Sequence, residues 1–162
     1  MPPMPPLQHV DPEQHVAVQR VRVALPDAVE GVSAHRDQVT LRVYKERIVE
    51  VCRLLRDDPA CSFEMLVDVT AVDYPMRSRR FDVVYHLYSL SIGHQLRVKA
   101  AVGEAEEIDS VTSVWKGANW PERETYDMFG VRFAKHPDLR RILLTEDFEG
   151  YPFRKDYPLA GY

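Results

Sequence analysis

Cysteine is scarce, with Cys52 and Cys61 the only two in 162 residues. There is no set of thiols for a disulfide framework, and none for the four-thiolate site of a usual iron-sulfur cluster or zinc knuckle. A redox centre served by this protein is therefore expected on another chain. Glycine is also sparse, and its seven residues never gather into G-x-G-x-x-G or a Walker pattern, so phosphates of a nucleotide find no cradle. No G-x-S-x-G elbow is there to expose a nucleophilic serine. Basic charge is not in excess: the formal net charge is -4 and the isoelectric point about 5.9, which argues against nucleic acid or anionic lipid as the main partner. Long apolar runs are missing too. VVYHLYSL, residues 83–90, is less than half of the ~20 residues that cross a bilayer, so any membrane association is expected through other chains. The opening MPPMPPLQHVDPEQH has no basic start followed by an apolar core, and so reads as neither a leader nor a transit peptide.

What is present is ordinary for a folded domain, with 45% hydrophobic, 28% charged and 10% aromatic residues. A chain of this length buries roughly 70% of the surface its unfolded form exposes, enough for one core. Five of twelve prolines fall within the first twelve residues, so 1–15 reads as a mobile tail. Between Val16 and Leu25 the apolar positions are too dense to separate helix from strand. AVEGVSAH and QVTLRVY, joined by Arg36 and Asp37, read as a hairpin. In YKERIVEVCRLLRDD, Ile48, Val51, Cys52 and Leu55 fall at i, i+3, i+4 and i+7, the spacing of a helix face, which makes Cys52 a core thiol. FEMLVDVTAV, RFDVVYHLYSL and QLRVKAAV then read as strands. Short linkers between them predict antiparallel neighbours and an α+β fold, a mostly antiparallel sheet packed with helices. DSVTSVWKGA, 109–118, is predicted helical with Asp109 or Ser110 as its cap.

The densest chemistry lies in NWPERETYDMFGVRFAKH, residues 119–136. Asn119 followed by Glu122 is a capping-box pattern, and Gly130 suits a helix end, so a helix over about 120–129 is predicted. Three chemistries compete for its charges. Glu124 and Asp127, three apart on a helix, would have Cβ atoms about 5 to 6 Å apart. They would project from one convex surface, whereas paired-carboxylate hydrolysis needs groups flanking a bond. His136 and Asp138 with Glu124 or Asp127 could make a mixed metal site, although such sets arise by chance in any charged segment. The third reading is an ion-pair lattice. From 119 to 162 eight acidic and seven basic residues nearly cancel, interleaved with nine aromatics, a composition suited to an interface. After Phe133, prolines 137, 152 and 158 prevent long regular elements, so 134–162 reads as an extended, irregular docking arm following an α+β domain over 16–133. Its apolar side chains need a second surface, on this domain or on a partner.

ERETYDMFGVRFAKHPDLRRIL, 122–143, resembles the signature of the 30 kDa subunit family, the C subunits, of proton-translocating NADH-quinone oxidoreductase, respiratory complex I. LVDVTAVDYP, FDVVYHLYSL, SVTSVW, ANWPERE and the closing RKDYPLAGY look like family positions in family order, and the likeness covers most of 38–162. Ala134-Lys135 departs from the usual glycine before the histidine, and Tyr151 and Phe153 from the commoner His and Leu. The resemblance implies a non-catalytic scaffold in the peripheral arm, held chiefly against the large D subunit with the B and I subunits nearby. FMN, iron-sulfur clusters and quinone are then expected on partner subunits, with no cofactor in this chain, no nucleic acid partner and no membrane span. It also implies a peripheral position on the cytoplasmic face of the bacterial plasma membrane. Glu122, Arg123, Glu124, Asp127, His136, Arg140, Arg141, Arg154, Lys155 and Asp156 would be positioning and ion-pairing groups. Related chains in membrane-bound hydrogenases and in coenzyme F420- or ferredoxin-linked dehydrogenases form the alternative assembly, and a stand-alone metal-dependent enzyme the alternative class.

Overall fold

Helix and strand are decided first by local pattern. The computed structural model describes residues 10–160. Of the N-terminal segment, Met1–His9 lie outside them, while Pro12–Gln14 make one 3-10 turn. The undecided run after it is helix α1, Val16–Ala24. His15 sets its start with an extended backbone and an Nδ1 that accepts the Ala17 amide at 3.2 Å. Ala17, Val18 and Val21 turn inward. The hairpin follows as β1, Val29–His35, and β2, Gln38–Val43. Helix α2 is Ile48–Asp57, and its predicted face, Ile48, Val51, Cys52 and Leu55, is fully buried. Each of the larger aliphatic side chains there contributes about 1.5–3 kcal/mol by leaving water. Arg20 of α1 bonds Asp58 just past α2 at 2.7 Å, tying the two helices together.

Strands β3, Met65–Asp73, β4, Phe81–Ser89, and β5, His94–Val102, complete a five-stranded sheet of order β1-β2-β5-β4-β3. The short linkers do produce antiparallel pairs, β1 with β2 and β3 with β4 with β5. The junction at the middle, β2 with β5, is parallel. Those two strands are separated by α2 and a whole hairpin, so no tight turn constrains their direction. The sheet is mixed, and the fold remains α+β. Alternation along the strands sends Leu41, Tyr85, Leu87, Val98 and Ala100 into the core that α2 also enters.

Two expectations fail between 107 and 122. Residues 109–118 are not a helix: β6, Glu107–Asp109, is followed by turns and a 3-10 turn, Lys116–Ala118. The reason is tertiary, because the Val111 amide is claimed by the Glu122 carboxylate at 2.7 Å and 107–109 pairs in parallel with β7, Arg132–Ala134. The capping box is also absent. Helix α3, Asn119–Phe129, has Ala118 at its cap with no side-chain bond, since Glu122 points into the protein instead of back at the helix start. Gly130 ends α3 with φ +79. From Lys135 to Ala160 there is neither helix nor strand. A Cβ at Gly130 would sit 2.7 Å from the Tyr151 ring and 2.6 Å from the Arg154 guanidinium. Gly130→Ala combines left-handed strain with that clash, and is expected to lower stability by more than about 1 kcal/mol, read as a lower midpoint in urea.

Candidate functional site

Several charged side chains of 119–156, gathered around α3, bond to the chain's own backbone. Asp127 is fully buried on α3. Its Oδ2 accepts the amides of Ile142, Leu143 and Leu144 at 3.1, 2.8 and 2.9 Å, and its Oδ1 accepts Arg141 Nη1 at 2.7 Å. Burial works to raise its pKa, but the amides of Leu144 and Leu143, the Arg141 guanidinium and the Ile142 amide outweigh it and hold the carboxylate below its usual range. Arg123, one turn earlier, donates to the carbonyls of Arg140 and Arg141 at 3.1 and 2.9 Å. The helix therefore grips both the amides and the carbonyls of one short stretch of chain. The Arg141 guanidinium also reaches the Gly150 carbonyl at 3.0 Å, and lies over the Phe148 and Tyr151 rings.

A second grip holds the end of the same stretch. Asp73, at the close of β3, pairs with Arg80 through two bonds of 2.7 and 2.9 Å and accepts the Lys155 amide at 2.8 Å. Arg80 also meets Asp156 at 2.8 Å. Arg154 donates to the Phe129 carbonyl at 2.7 Å, pairs with Glu104 at 2.7 Å and lies over the Phe81 and Tyr151 rings. The Phe153 amide reaches the Met128 carbonyl at 3.0 Å. Residues 140–156 form a strap clasped to the domain at both ends, while Leu143, Phe153 and Leu159 remain exposed on or beside it.

Glu122 and His136 make a third, internal set. Glu122 is fully buried, accepting the Ser110 hydroxyl at 2.6 Å and the Val111 amide at 2.7 Å. Burial pushes its pKa up to about 7 against those two hydrogen bonds. His136 donates from Nε2 to the Asn119 carbonyl at 3.0 Å, accepts the Asp138 amide on Nδ1 at 3.0 Å, and lies 3.8 Å from Glu122. Both imidazole nitrogens are occupied by backbone, so neither is free for a metal. Among the described residues no group of three or more His, Cys, Asp or Glu is placed to hold an ion.

The two carboxylates differ in environment: Glu124 is exposed while Asp127 is buried under the strap. Arg140 reaches out to Asp138 at 2.9 Å, and its guanidinium stays largely in solvent. Sequence reasoning missed Asp73 and Arg80. Their only local signal is a carboxylate closing one strand and an arginine preceding the next, which are brought together by the β3–β4 register. A concavity of about 850 Å³ beside β6 and β7 is lined largely by charges of both signs, including Lys45, Glu104, Glu107, Asp109, Arg132 and Arg154.

The fold defines an α+β module similar to a chain of a membrane respiratory assembly. It superposes with a TM-score of 0.73 and 25% identity, over 88% of this chain and 84% of the other, on a chain of the membrane-bound sulfane sulfur reductase, an archaeal respiratory membrane complex. Residues 41–162 match the family model described as respiratory-chain NADH dehydrogenase, 30 Kd subunit, and the chain belongs to that family. A relative from Hyphomonas neptunium, the C subunit of an NADH-quinone oxidoreductase, is 51% identical over 138 residues, 85% of this chain and 68% of that one. Its counterpart from Rhodopseudomonas palustris is 47% identical over 144 residues, 89% of this chain and 72% of that one.

Asp127→Ala leaves three amides and a guanidinium without their carboxylate, and is expected to cost about 3 kcal/mol or more. Hydrogen exchange should then quicken at 142–144 before the strands of the sheet open. For Glu122, the folded pKa of about 7 lies above its usual 4.5, so the folded state prefers the protonated acid. Its contribution to stability is full below about pH 4.5 and is lost as pH rises through 7, a change on the order of 3 kcal/mol. Glu122→Gln keeps an acceptor for Val111 without the charge, so the loss of stability owed to Glu122 between pH 5 and 8 should be absent when its urea midpoints are compared with the native protein's across that range.

Proposed function

We propose that this chain is a non-catalytic scaffold of a proton-translocating NADH-quinone oxidoreductase, supporting electron transfer by holding the subunits that carry it. The observation that carries this reading is the fate of the signature side chains. Glu122, Arg123, Asp127, His136, Arg141 and Arg154 bond to the chain's own backbone. Groups so committed shape a surface; they do not meet a substrate. In this reading residues 134–162 are the docking element, carried on an α+β domain over 16–133, and Glu124, Arg140 and Lys155 stand at its outer rim. The D subunit is the chief partner, with the B and I subunits nearby. FMN, iron-sulfur clusters and quinone sit on partner chains, on the cytoplasmic face of the bacterial plasma membrane. Among the described residues no helix is long and apolar enough to cross a membrane. The identity of 25% to a chain of a sulfur-reducing complex favours a second reading, in which the same scaffold serves an assembly with another electron donor.

A tagged copy of the chain, recovered from mildly solubilised native membranes, is expected to bring cluster-bearing chains and a flavin-bearing one with inhibitor-sensitive NADH-quinone reductase activity. Cluster-bearing chains without flavin or NADH activity would support the second reading. Recovery of the chain alone after crosslinking would overturn both.

A further inference from the structure

The sheet has a second face. Val84 is 3% exposed yet stands outside the hydrophobic core, because strand alternation turns it away from Val83 and Tyr85. Thr70, His86, Arg97 and Lys99 share that side and are only part-buried or lie at its rim. Among the described residues, the one side-chain hydrogen bond made by this set stays within the sheet: Arg97 bonds Gln38 on β2.

This face is also electrically incomplete. The cross-strand register places Lys99 opposite Arg42, and Arg97 and Lys99 are two apart on one strand. Like charges set directly opposite each other in a sheet are unfavourable. Arg42 has its answer in Asp82, through bonds of 2.9 and 3.0 Å. Asp68 stands across from His86 at the far side of β4. Arg97 and Lys99 form no ion pair with any carboxylate among the described residues. Burial lowers the Lys99 pKa, and although Asp82 opposes that, Arg97, Arg42 and Arg77 lower it further.

We propose that the open sheet face centred on Arg97 and Lys99 is a second docking surface, separate from the strap, which receives an acidic polypeptide surface of a partner subunit. A β face carrying two part-buried cations, neither of them in an ion pair among the described residues, suits a protein surface bearing aspartate or glutamate. Burying those cations against carboxylates would relieve the cross-strand repulsion and fix the register of docking. Like charges held side by side across strands are tolerable when a counter-charge arrives. The inference rests on the chain being a subunit of a larger assembly.

The test is made in the intact complex. Carbodiimide activates carboxylates for attack by a neighbouring amine, so Lys99 is expected to form an isopeptide bond to an Asp or Glu of another chain, read by mass spectrometry. The double variant Arg97→Glu and Lys99→Glu is expected to lower recovery of the assembled complex at least tenfold. Arg97→Gln with Lys99→Gln, which removes charge without reversing it, should lower it less. Thermal unfolding of each isolated variant separates lost docking from lost folding. If the wild-type chain retrieves its partners and both variants retrieve them equally well, the docking inference is overturned while the subunit reading stands. If the wild-type chain retrieves no partner, both fall. Assembly unchanged but loss of binding to phosphatidylglycerol vesicles would overturn the inference in favour of a lipid surface.

Discussion

The buried carboxylate of Asp127 is the constraint on which the C-terminal part of the chain depends. A charge in the interior is costly unless donors surround it, and here three consecutive amides and one guanidinium do so. Those four donors come from 141–144, a stretch with no helix or strand of its own to pair its backbone. Carboxylate and strap thus solve each other's problem. Remove either, and the other is left with polar groups in a place that water reaches poorly.

The same logic repeats at Asp73, where Arg80 and the Lys155 amide converge, and at Arg154, which reaches back to the end of α3. Three ties spread along one segment hold it in a single conformation. What the strap shows to solvent, Leu143 and Phe153 with Leu159 just beyond, is consequently presented by a rigid support. A surface ordered in advance loses less conformational entropy on binding than a free tail does. The irregular path follows from prolines and from the left-handed Gly130, and its stability from the domain beneath it.

The sheet divides the remaining surface by the period of a strand. One face turns toward the core shared with α1 and α2, with Tyr85, Leu87 and Val98 at its centre. The other keeps a mixed set of Thr70, His86, Arg97 and Lys99, with Val84 sunk among them. Because successive side chains alternate, a single strand such as β4 feeds both faces at once, and the apolar share goes to the side the helices cover. On the docking proposal, the other side and the strap are the two surfaces of the module that meet neighbours.

The sequence by itself determined the elements whose periodicity is local. The α2 face at Ile48, Val51, Cys52 and Leu55, the hairpin turning at Arg36 and Asp37, the alternation from Leu96 to Val102 and the stop at Gly130 are each legible, because 3.6 and 2.0 residue periods and turn chemistry act over a few residues. The stretch 119–136 also marked where the charged chemistry gathers. Only the tertiary structure decided what that chemistry does. Glu122 carries the same carboxylate whether it caps its own helix or bonds Ser110 and Val111, and Asn119 reads as a cap in either case; the difference lies in what is packed against them. Likewise the parallel pairing of β2 with β5, the strand at 107–109 and the meeting of Asp73 with Lys155 depend on contacts between residues far apart in the chain. Burial sets the energy of a charge, and burial belongs to the assembled fold.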